Sequence, residues 1–198
     1  MTLDQAIAFL LFAVVAAGTP GPSNVMLTAT GAIVGVVRGI PCLLGVTLGT
    51  AFLLFVVAYG LGNLVLSEPL VLKAMNVCGI VLLLWLSWKI ATAERSDDGN
   101  DAKPVGFFAA AAFVWVNPKA WLVSTTAAGA YLQADSGSAF TQSAWLGALF
   151  FLAALPACLP WLAIGAALQR FLRTDRAARI FNVSMGLLLA SSVVVLVV

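Results

Sequence analysis

Residues 105–131 read VGFFAAAAFVWVNPKAWLVSTTAAGAY, and one formal charge, Lys119, stands in the middle of this otherwise apolar run. An ammonium near the centre of a bilayer is disfavoured by roughly 2.5–3.5 kcal/mol on insertion scales. Pro118 beside it has no N–H to give to a helix, so carbonyls upstream lose a donor. Asn117 adds an amide side chain at the same place. A cation, a broken hydrogen-bond ladder and an amide at membrane depth exceed what packing between apolar helices requires. The grouping points to a transporter's binding site.

The composition around this stretch agrees. The chain has 198 residues, 62% of them hydrophobic and 9% charged. Soluble domains carry about 25% charged residues, so this is a membrane composition. The net charge of +2 is small, and its basic residues sit close to apolar segments, which argues against a nucleic-acid partner. There is no histidine, which removes the commonest metal ligand and general base. Cys42, Cys78 and Cys158 lie far apart in apolar segments with no CxxC spacing, and read as packing residues. The first residues, Met1-Thr2-Leu3-Asp4, lack the basic start of a secretory signal, so the first apolar segment is expected to be retained.

A helix needs about 20 apolar residues to cross the hydrocarbon core. Six stretches qualify: Gln5–Thr28, Ile40–Leu66, Leu70–Ala91, Val105–Tyr131, Ala144–Leu168 and Ala178–Val198. None alternates with a period of two, so helices rather than a barrel are expected. Residues 94–104 form a polar connector that divides the chain into 1–93 and 105–198. Arg38, Lys89, Arg95, Lys103, Arg170, Arg173, Arg176 and Arg179 fall beside three connectors on one side; Lys73 falls on the other. The positive-inside rule places those three connectors in the cytoplasm and both termini outside. The expected fold is an all-α integral membrane protein of six helices, arranged as two three-helix repeats of inverted orientation.

A second break supports that layout. Thr19-Pro20-Gly21-Pro22-Ser23-Asn24 interrupts the first span as Asn117-Pro118-Lys119 interrupts the fourth. Breaks at corresponding places in two inverted halves are the best sequence pointer to a midplane binding site. Two prolines around Gly21 cannot continue a regular helix. A new half-helix is expected to begin near Ser23, capped by Ser23 and Asn24, with N–H groups that suit a carboxylate. Lys119 is expected to meet the freed carbonyls of Pro20–Pro22, Asn24, or the substrate. The rival reading makes both breaks structural kinks.

Other features are weaker pointers. Trp115 and Trp121 flank the second break and either line a cavity or pack. Pro156 and Pro160 form either a third deformable region or a plain kink in the fifth span. Gly31, Gly35 and Gly39, and likewise Gly45 and Gly49, have the four-residue spacing of close helix packing, within the chain or across a homodimer. The acidic residues all fall at span ends or in connectors. No metal site or cofactor is therefore expected, and no carboxylate relay runs through the core.

Thr19-Pro20-Gly21-Pro22-Ser23-Asn24 together with Asn117-Pro118-Lys119-Ala120 resembles the paired signatures of the LysE/RhtB amino-acid exporter family. The resemblance covers essentially the whole chain. Asn117-Pro118-Lys119-Ala120-Trp121, with Phe181-Asn182, is similar to the branch carrying NPKAW. It implies a secondary exporter in the bacterial inner membrane that expels amino acids or close derivatives, and no enzyme. Many members have Asp where this chain has Ser23, which leans the expected site toward anionic or zwitterionic solutes. It implies no redox role, because no cysteine lies at either motif in the sequence. The expected partners are the bilayer and a small amino-acid-like molecule. The alternative function is a non-transporting assembly or scaffold protein, and an intramembrane enzyme built on Lys119 with Ser124 or Ser23 is a distant third.

Overall fold

The structure, a computed structural model, describes residues 2–61, 69–92, 105–132, 138–169 and 174–191. Their regular structure is helical throughout: α1 (Leu3–Gly18), α2 (Pro22–Val56), α3 (Pro69–Ala91), α4 (Phe107–Val116), α5 (Pro118–Tyr131), α6 (Ala139–Gln169) and α7 (Asp175–Ser191), with a π-helical turn at Val57–Leu61. The polar connector 94–104, with Lys103 and Arg95, lies outside the described residues, as do 192–198 of the sixth expected span.

α1 starts on a capping box: the Thr2 hydroxyl accepts from the Gln5 N–H, and the Gln5 amide oxygen accepts from the Thr2 N–H. It stops at Thr19 because Pro20 brings no N–H, and α2 starts with Pro22 in its first turn, where that missing donor is harmless. α4 and α5 are one run bent by 70° at Asn117.

Gly35 divides α2. It takes φ 76° and ψ −178° inside otherwise helical backbone, a conformation essentially confined to glycine. Before it, Asn24 meets Cys158 and Thr28 meets Gly165; after it, Gly39 meets Leu162 and Ala51 meets Gly147. Residues 22–34 thus run along α6 in its own direction, and residues 36–56 run against it. A straight helix would hold positions 31 and 39 about 12 Å apart, yet both glycines meet Leu162. Gly35 is therefore a turning point, not a packing position as its four-residue spacing suggests.

The neighbouring glycines do pack, and within this chain. A Cβ on Gly31 would lie 2.1 Å from the Leu162 carbonyl oxygen, and one on Gly165 would lie 2.0 Å from that of Thr28. Gly45 and Gly49 face Phe107 and Ala111 of α4 in the same manner. These contacts put α2 at the centre, between α6, α4 and α5. The core beside it holds Met26, Leu27, Cys42, Phe113 and Leu162. A second cluster joins Phe9, Leu54, Leu146 and Phe150.

The outer surface is apolar. Val37, Trp88, Phe108, Leu122 and Leu152 are all more than half exposed. In water such a surface would drive aggregation, whereas lipid tails are as apolar as the side chains themselves. By length and composition two helical stretches, Pro22–Gly60, which turns back at Gly35, and Ala139–Leu168, are apolar enough to cross a membrane, and the bent α4–α5 pair makes a third. Pro156 and Pro160 do not interrupt α6, which is helical through both. They are accommodated as internal prolines, so the fifth expected span has no third break.

Candidate functional site: a cavity between two broken helices

The two breaks meet. The Asn117 amide donates to the Ser23 hydroxyl at 2.9 Å, across 94 residues of sequence. The Lys119 ammonium donates to the Thr19 carbonyl at 2.5 Å and approaches the Pro20 carbonyl at 3.4 Å. Gly21 makes this possible: a Cβ there would sit 2.8 Å from Lys119 Cδ, so the lysine stem lies across a position with no side chain. Lys119 is half-buried, and Asn117 is buried.

At the first break the freed carbonyls find side-chain donors. The Asn24 amide donates to both Ala17 O (3.0 Å) and Thr19 O (2.8 Å). The Trp161 indole donates to Gly18 O at 3.1 Å. The Cys158 thiol approaches Ala17 O at 3.7 Å and Asn24 Oδ1 at 3.8 Å. Gly21 O takes the backbone N–H groups of Asn24 and Val25, the first bonds of α2. A buried carbonyl without a donor is expensive, which is why this set of side chains accompanies the double proline.

The second break is satisfied in a parallel manner. Asn117 ends α4 and caps α5: its side chain accepts from the Lys119 N–H at 3.1 Å. The Asn117 N–H turns back to Val114 O, and the Trp121 indole donates to Trp115 O at 2.7 Å. Each break thus has an asparagine side chain and a tryptophan indole among its partners.

Several expectations are corrected by this geometry. Ser23 and Asn24 do not cap α2: its cap position is Gly21, which has no side chain to cap with, while Ser23 accepts from Asn117 and Asn24 reaches back to α1. For Trp115 and Trp121 the packing alternative holds, and neither lines the cavity. They pack edge to face, 6.4 Å between centroids, and Trp121 serves the Trp115 carbonyl. Pro156 and Pro160 are likewise outside the lining, while Cys158 between them is part of it. The sequence places Cys158 among packing residues far from both breaks, yet its thiol sits at the first one. Chain distance hid this, since Cys158 is 134 residues from Asn24.

The cavity enclosed by these elements has about 440 Å3 of empty space, including an open mouth. Gly21, Ser23, Asn24, Asn117 and Lys119 contribute its polar wall. Ala16, Ala17, Ala120 and Ala154 leave room, and Val46, Val123 and Phe150 make the apolar side. Thr47 and Thr50 also line it, though their hydroxyls are already donated to Leu43 O and Val46 O. Of the sequence candidates, Gly21, Ser23, Asn24, Asn117 and Lys119 face the cavity, and Thr19, Pro20, Pro22 and Pro118 shape the backbone beside it. No motif in the sequence marks Thr47, Thr50, Phe150 or Ala154.

Helices with lipid-suited surfaces around an open cavity with one polar wall, built where two helices break, define a membrane transport protein. The chain belongs to the LysE family: the model described as LysE type translocator matches residues 13–198. It is a multi-pass membrane translocator and not an enzyme. Among curated relatives, a protein named "Cysteine/O-acetylserine efflux protein" from Escherichia coli (strain K12) is 28% identical over 189 residues, 96% of this chain and 95% of the relative. The protein of the same name from Shigella flexneri is 28% identical over 182 residues, 92% of each chain. No solved structure matches the chain significantly.

Proposed function

We propose that this protein is a secondary active exporter of amino acids or closely related small zwitterions across the bacterial inner membrane, working by alternating access. The observation that carries the proposal is the junction of the two breaks, Asn117 on Ser23 and Lys119 on Thr19, at the wall of one cavity. The first turns of α2 and α5 both begin there. Helix N-termini carry partial positive potential, and Lys119 adds a full charge, so this wall suits a carboxylate. The carbonyls at the end of α1 suit an ammonium. The rest of the lining is mostly apolar and includes four alanines, which fits a short side chain.

In this reading residues 1–93 and 105–198 are two three-helix repeats of inverted orientation, joined by a cytoplasmic connector at 94–104, with both termini outside. The halves rock about the cavity, and the breaks at Thr19–Pro22 and Asn117–Pro118 act as hinges. Lys119 holds the substrate carboxylate. The relatives' names suggest cysteine and O-acetylserine as the first solutes to try.

The test is counterflow in proteoliposomes loaded with each of these, wild type against Lys119→Met. Labelled solute should accumulate with wild-type protein and fall to the level of empty liposomes with the variant. Wild-type flux through a well-folded Lys119→Met protein would remove the lysine from the mechanism.

A further inference from the structure

Among the described residues the Lys119 ammonium has two acceptors, both backbone carbonyls of the first break. No Asp or Glu lies within the run that carries it. Among the described residues its charge is therefore held by backbone carbonyls. Those carbonyls are open because the chain leaves the helix at Thr19 and is extended at Gly21, so the Asn24 N–H bonds Gly21 O and not Pro20 O. Thr19 O keeps the Asn24 amide as a second donor, while Pro20 O has, among the described residues, the lysine as its donor. Ala16, whose carbonyl would bond residue 20 in an unbroken helix, lines the same cavity.

A cluster of carbonyls with an ammonium on it is a primary-ammonium site whose occupant is visible. That occupant is tethered to the opposite break by a flexible four-carbon stem lying over Gly21. A zwitterionic solute in the cavity would present the same group, with the same charge and the same three donors. We propose that the Thr19 and Pro20 carbonyls are the binding site for the solute's amino group, and that Lys119 fills this site in the unloaded protein and is displaced from it on loading. The inference rests on the export reading above and extends it.

The exchange conserves charge at the carbonyls, because one ammonium replaces another. The displaced Lys119 then meets the solute's carboxylate, so a net-neutral molecule satisfies both freed partners. Two consequences follow for the solute. It must carry an N–H-bearing cation, and it must carry a carboxylate within a lysine's reach of it. A carboxylic acid whose nitrogen is acylated leaves Lys119 on its carbonyls and finds no free partner.

Two isomers test this at constant size. O-acetylserine has a free ammonium, and N-acetylserine has the same atoms with the nitrogen acylated. Counterflow by wild-type protein, kept mildly acidic to prevent acyl migration, should be about 10- to 100-fold slower for N-acetylserine, the range for losing hydrogen bonds from a charged group. Equal rates would overturn the ammonium site and leave export standing. Absence of counterflow for every amino acid would count against the export reading itself, and a binding measurement then decides the site alone. Lys119→Ala empties the carbonyls, so methylammonium should raise its unfolding temperature saturably in detergent. Tetramethylammonium, which has no N–H, should not, and neither should methylammonium with wild-type protein. A folded Lys119→Ala protein indifferent to methylammonium would refute the proposal. If that variant fails to fold, the isomer comparison stands by itself.

Discussion

Replacing Asn117 with alanine removes the side chain that ties the second break to the first. Two hydrogen bonds go: the amide to Ser23 Oγ at 2.9 Å, and the cap from the Lys119 N–H at 3.1 Å. Loss of an N-cap costs about 1 kcal/mol. Loss of a partly buried side-chain bond costs about another 1 kcal/mol. Asn117→Ala should therefore destabilise the protein by about 2 kcal/mol. Ser23→Ala should remove only the shared bond. The double variant should be less destabilised than the sum of the singles, with a coupling of about 1 kcal/mol. Reversible unfolding of purified protein in mixed micelles measures all four proteins in one cycle. Additive single effects would mean that the two breaks do not hold each other through this bond, and the reasoning from the junction would fail. Asn117→Asp is the control. Aspartate caps α5 as well as asparagine does, and the Ser23 hydroxyl can turn to donate to it. It should recover most of the stability lost in the alanine variant.

Gly35→Ala should destabilise by about 1–3 kcal/mol, because its backbone conformation is strained for any side chain; an unchanged unfolding midpoint would mean that the turn is not needed. Gly165→Ala drives a methyl to 2.0 Å from a backbone oxygen that cannot rotate away, so α2 and α6 must separate, and loss of folded protein on size-exclusion chromatography is expected. Ala154→Phe fills the cavity from a position that also belongs to the second core cluster, and should abolish counterflow and lower the unfolding temperature through overpacking. Cys158 should be alkylated by a small thiol reagent more slowly when a transported solute is present, read as labelled fraction by mass spectrometry.

Much of the site was legible from local chemistry. Pro20, Gly21, Pro22 and Pro118 break helices wherever they stand, because the missing donor and the ring clash are properties of the residue. That both breaks carry an asparagine is plain in the sequence, and so is the absence of a carboxylate for Lys119. What each asparagine does was not legible. Asn24 looked like a cap for the helix it begins and instead holds the end of the helix before it. Gly35 looked like one of three packing glycines and is the point where the chain turns. A four-residue spacing records only that small residues lie on one helix face, and it is silent on whether the helix continues.

The sequence by itself determined that the chain is a helical membrane protein, where two of its helices break, and that a lysine lies at one break. These follow from composition, run length and the hydrogen-bonding inventory of single residues. Only the tertiary structure decided that the breaks touch, that the Lys119 ammonium ends on the Thr19 and Pro20 carbonyls, and that Cys158 and Trp161 complete the first break. Those contacts join residues about 100 or more positions apart. Their partners are set by how α2 and α6 pack through Gly31 and Gly165, and not by anything in the flanking sequence.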